Sequence, residues 1–70
     1  MNREEFDDTW FKLNGFKEKL NVVYLENGDF ILADNHDSNI REHEEQIEFY
    51  NKRKLVAVIS LDKIIDVRSD

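Results

Sequence analysis

The chain has 70 residues, with no cysteine, no proline and only two glycines. Lacking thiols, it can form neither disulfides nor thiolate metal sites, which fits a reducing, cytoplasmic setting. With two glycines it has no Gly-rich phosphate loop and no Gly-x-Ser-x-Gly elbow, which removes two common routes to catalysis. Nothing at the polar, acidic N-terminus resembles a signal peptide. No apolar run approaches the ~20 residues needed to cross a bilayer, so no membrane association is expected.

What is present is charge, unevenly placed. The net charge is −6. Residues 26–48 carry eight acidic groups against Arg41 alone, a net of −7, while residues 49–70 are net +2. Such asymmetry bears on partners and solubility rather than on fold. It disfavours direct nucleic-acid binding by the acidic segment, because phosphate contacts require Lys and Arg. The length allows a single domain, residues 1–70. A chain this short buries only about 60% of its unfolded surface, so its stability is marginal and self-association would add to it.

The most apolar stretch is 55–67, Leu-Val-Ala-Val-Ile-Ser-Leu-Asp-Lys-Ile-Ile-Asp-Val. From Leu55 to Leu61 both parities are apolar, which predicts a central strand covered on both faces. A turn at Asp62 and Lys63 would send 64–67 back as a closing strand. Residues 2–14 carry every signal of a helix. Asn2 and Glu5 have capping-box spacing, acidic residues fill the first turns, and Gly15 stands at the exit. Phe6, Trp10 and Leu13 share a face that would pack on the sheet. In the alternative, Trp10 with Phe11 or Phe16 is an exposed hot spot.

Asn27-Gly28 between two apolar runs predicts a hairpin with a type I′ turn, with strands near 20–26 and 29–34. Residues 35–39 read as a polar loop. The segment 40–50 fits either a Glu-rich helix or a hairpin with strands near 40–43 and 46–50 turning at Glu44 and Glu45. The hairpin is preferred, because it fills an edge left open by the strands at 55–61 and 64–67. The fold class is therefore α+β: an N-terminal helix, then a small, antiparallel, strongly curved sheet or an SH3-like five-stranded barrel.

This order is similar to the small SH3-like barrels, including the Sm-like arrangement of a helix before a bent sheet. Val-Val-Tyr-Leu-Glu-Asn-Gly (22–28) and Ile-Ser-Leu-Asp-Lys-Ile-Ile-Asp-Val (59–67) stand where Sm-like proteins have their two signature segments. Leu61-Asp62 replaces the Arg-Gly pair used near RNA, and the Asp and Asn pair that binds a base is missing. The resemblance thus implies topology and not RNA binding. From Asn21 onward the chain also resembles small phage and prophage proteins of low-GC Gram-positive bacteria. It shares their Asn-Gly turn, acidic middle, and Phe49-Tyr50 followed by Val-Ala-Val-Ile. That resemblance implies a protein that binds and blocks a host factor.

Several candidate sites follow. Asp34, Asp37, Glu42, Glu44, Glu45 and Glu48 would form an acidic face that occupies a basic surface on a host protein, such as a nuclease or a DNA-binding factor. Lys52, Arg53 and Lys54 beside Tyr50 form the alternative, a nucleic-acid-binding patch of basic turn and stacking aromatic. A third reading is a structural subunit that self-associates through its sheet edge. Starting a calcium loop at Asp34 fails at His36, Asn39 and Arg41, and His36 with His43 has no recognised zinc spacing. No cofactor, metal or catalytic residue is expected, and the protein is read as non-enzymatic.

Overall fold

The structure, a computed structural model, describes residues 1–15 and 17–70. Helix α1 spans Arg3–Asn14. The Glu5 backbone N–H donates to the Asn2 side-chain oxygen at 2.8 Å, and the Asn2 amide returns a bond to the Glu5 carboxylate at 3.0 Å. The expected capping box is thus closed side chain to side chain. Arg3 with Asp7 and Lys12 with Asp8, both at 2.9 Å, add i,i+4 pairs along the exposed face. Gly15 ends the helix at φ +58°, a left-handed conformation open to glycine, and its N–H donates to the Phe11 carbonyl.

Phe6 is fully buried, Trp10 is 8% exposed and Leu13 packs beside them. Trp10 is therefore a core residue and not an exposed hot spot. Phe11 is exposed, and Phe16 lies outside the described residues.

Six strands follow among the described residues: β1 (Asn21–Leu25), β2 (Phe30–Ala33), β3 (Asn35–Arg41), β4 (Glu44–Asn51), β5 (Lys54–Ser60) and β6 (Ile64–Ser69). They form two antiparallel three-stranded sheets, ordered β2-β1-β6 and β3-β4-β5. The α+β layout of a helix followed by small antiparallel sheets is thus observed. The strongly curved single sheet or five-stranded barrel expected from the sequence is not seen: the described strands form two sheets that are neither strongly curled nor closed. The chain passes from one sheet to the other at Asp34, so β2 pairs only with β1 and β3 only with β4. The core between helix and sheets is built from Phe6, Trp10, Val23, Ile47, Phe49 and Ile64, with Ala33, Leu61 and Val67 around them.

Four further expectations are corrected. The β1–β2 turn is not type I′: only Gly28 has positive φ, +90°, and Asn27 uses its side chain to accept from the Asp29 N–H at 3.0 Å. A three-residue loop with one left-handed glycine fits here because the loop begins one residue earlier, at Glu26. Residues 35–39 form strand rather than loop, because β4 provides a full ladder that overrides their weak intrinsic preference. The second hairpin, preferred over a helix, is present, but it turns at Glu42 and His43 (φ 49° and 70°) rather than at Glu44 and Glu45. Finally, the 55–61 stretch is not central. Its first six residues lie in the edge strand β5, with Leu55 53%, Val56 47% and Val58 42% exposed, and Leu61 is buried in the turn that follows. The return strand β6 crosses over to pair with β1, reached through a 3-10 turn at Leu61–Lys63, which leaves the outer side of β5 without a neighbouring strand.

Candidate interaction surface

Strand alternation decides which residues of the second sheet face outward. Ile47 and Phe49 are fully buried, so Glu44, Gln46, Glu48 and Tyr50 take the opposite face. The register then builds rows across three strands. Asp37, Glu48 and Val58 form one row; Asn39, Gln46 and Ser60 form another; Asn35, Tyr50 and Leu55 form a third. A bulge makes Val56 the extra residue between Leu55 and Ala57. The outer face is therefore a carboxylate strip on β3 and β4 beside an apolar strip on β5.

Asp37 and Glu48 stand directly opposite each other with no cation in ion-pair contact among the described residues. Like charges so placed destabilise a sheet. Glu44, on the same face, accepts from the Ser60 hydroxyl at 3.4 Å. The other three acidic candidates separate from this strip. Glu42 sits in the hairpin turn. Glu45 has the opposite parity and meets Arg3 at 3.4 Å. The Asp34 carboxylate accepts the Lys52 N–H at 3.0 Å and so braces the β4–β5 turn.

Of the basic candidates, Lys52 and Arg53 are the left-handed central residues of that turn (φ 51° and 68°), and Lys54 opens β5. Arg53 and Tyr50 border a shallow depression of about 310 Å³ together with Glu18, Asp34, Asp37 and His36. Three carboxylates thus share the space into which a phosphate would have to come.

His36 faces inward. Its ring lies edge-on to Trp10 at 4.7 Å and to Phe6 at 4.9 Å, and its Nδ1 is buried without a hydrogen-bond partner. Desolvation pushes its pKa below 6.5, against the attraction of Asp7 and Asp37 and with help from Arg3. His43 sits in the hairpin turn, and among the described residues no three His, Cys, Asp or Glu side chains converge as metal ligands. No helix among them is long and apolar enough to cross a membrane.

Sequence reading missed two surfaces. One is the exposed side of β5, hidden by the assumption that an apolar run is a buried one. The other lies on the first sheet, where Tyr24 and Phe30 stand opposite each other with ring centroids 6.5 Å apart and Ile65 is exposed nearby. The Asn-Gly hairpin and the parity of its strands were the available signal for that pair. Compared with known proteins, the chain matches no family model, no curated protein and no solved structure.

Proposed function

We propose that this chain is a non-enzymatic interaction protein whose outer β3–β4–β5 face binds a protein partner. One observation carries the reading: an apolar strip, Leu55, Val56 and Val58, runs beside Asp37 and Glu48, two opposed carboxylates with no ion-pair partner among the described residues. A partner with basic side chains set in an apolar surface satisfies both strips. Its Lys or Arg would relieve the Asp37–Glu48 repulsion, while its apolar groups gain about 25 cal/mol per Å² removed from water. The net charge of −6 would speed encounter with such a partner. Nucleic-acid-binding proteins of a host carry basic surfaces of this kind. Occupying one would exclude its substrate, which agrees with the blocking role implied by the resemblance to phage and prophage proteins.

The competing reading, single-strand binding through Lys52, Arg53, Lys54 and Tyr50, is weakened by Glu18, Asp34 and Asp37 around Arg53. The test is capture from a nuclease-treated bacterial lysate with the wild-type chain and with D37K/E48K. A basic protein held stoichiometrically by the wild type, released by moderate salt and lost with D37K/E48K, supports the assignment. Equal capture by the variant overturns it.

A further inference from the structure

The exposed edge of β5 points to a second copy of this chain as its occupant, and we propose that the protein forms a two-fold dimer by antiparallel β5–β5 pairing. Strand β5 has a neighbour on one side only, β4. Among the described residues none from 54 to 60 makes a backbone hydrogen bond outside that ladder. An edge of this kind is a template for another strand unless charge, proline, short length, a bulge or a cover protects it, and in β5 the bulge at Val56 leaves residues 57–60 regular. The seven residues of β5 include five apolar ones, no proline, and no charge after Lys54.

The other three edges are better protected: β3 carries Asp37 and Arg41 and is mostly polar. Strand β2 has only four residues. Strand β6 carries Asp66 and Arg68, and its Ile64 carbonyl already accepts from the Met1 amino group at 2.8 Å.

Charge selects the occupant and its direction. The start of β5 is basic, with Lys52, Arg53 and Lys54; its far end is acidic on balance, with Asp62 and the Glu44 carboxylate on the Ser60 hydroxyl against Lys63. Parallel pairing would set like ends together. Antiparallel pairing centred on Ala57 sets Val56 against Val58, while the bulge at Val56 ends the regular register before Leu55. It also brings the Lys54 end of one copy beside the Ser60 end of the other, which holds Glu44 and Asp62. Two-fold symmetry repeats every one of these pairs, so the contact closes on itself and adds no further copies. The exposed apolar residues of the two β5 strands stand side by side, and the two outer faces join into one six-stranded surface, still open to a partner, with an apolar centre and carboxylate strips at either side.

Sedimentation equilibrium on the full chain over a concentration series tests this. The expected result is a reversible transition from 8.4 kDa to twice that mass. Val58→Lys, at an exposed position, should raise the dissociation midpoint by roughly tenfold or more, because apolar contacts across the seam are then replaced by two like charges on one face. Ile65→Lys on the other sheet should leave it unchanged. Lys54→Glu should also weaken the dimer, and K54E/D62K should restore it, which separates loss of charge pairing from loss of fold. Circular dichroism checks that each variant is folded. A species of 8.4 kDa at every concentration, a dimer indifferent to V58K, or open-ended growth beyond two copies would each overturn the proposal.

Discussion

Replacing Asp37 by Asn should make the protein more stable while weakening its capture of a partner. Asp37 and Glu48 are opposed across β3 and β4, where side chains on one face lie about 5 Å apart at their Cβ atoms. Two unit charges at about that distance repel by ~0.8 kcal/mol in bulk water, the fitting limit for an exposed Asp. A Debye length of about 8 Å at physiological salt reduces this by about half. Relief of about 0.4–0.8 kcal/mol corresponds to a gain of about 2–6 °C in Tm for a domain of this size. Thermal melts by circular dichroism in low and high salt measure it. The gain should be larger in low salt, and Glu48→Gln should give a similar one. The double variant D37N/E48Q should gain little more than either single, since one repulsion is removed in each case. A D37N protein no more stable than wild type in low salt, or fully additive gains, would show that the pair is not a source of strain.

Three further outcomes follow from the geometry. Phe49→Ala, at a fully buried ring in contact with Phe6 and Trp10, should cost about 3–5 kcal/mol and leave the chain largely unfolded by near-ultraviolet circular dichroism. Burial holds the His36 pKa below its ordinary 6.5, so the unfolded chain binds the proton more readily. Stability should be complete above pH 6.5 and fall as the pH drops from 6.5 toward the lowered folded value. Denaturant melts followed by Trp10 fluorescence measure this, and His36→Phe should flatten that slope. Substituting K52N/R53G in the left-handed turn should raise the urea midpoint, by about 1 kcal/mol or more in stability, because glycine and asparagine relieve the strain at positive φ.

The helix was readable because Asn2, Glu5, Phe6, Trp10 and Gly15 all act locally, within a turn or two of one another. The second hairpin was readable from Ile47 and Phe49, whose alternation with Glu48 survives into the structure as buried and half-exposed positions. Strand β3 was not, since Asn35, His36, Asp37, Ser38 and Asn39 have no apolar alternation of their own and become strand through pairing with β4. The position of β5 was hidden for a similar reason. A run such as Leu-Val-Ala-Val-Ile records how much apolar surface a strand carries, not whether this chain or another one covers it. The acidic candidates divided by parity. Glu44 and Glu48 share a face, Glu45 turns to Arg3, and only the true turn at Glu42 and His43 fixes which is which.

The most direct test of the account is residue-resolved mapping of the bound surface by amide NMR. The ¹⁵N-labelled chain would be titrated with the basic protein captured from lysate. Shifts or broadening concentrated on Asp37, Glu48, Val58 and their neighbours, with α1 and the Tyr24–Phe30 side unaffected, is the predicted result. A footprint on α1 or on Tyr24, Phe30 and Ile65, with the outer β3–β4–β5 face unchanged, would contradict it.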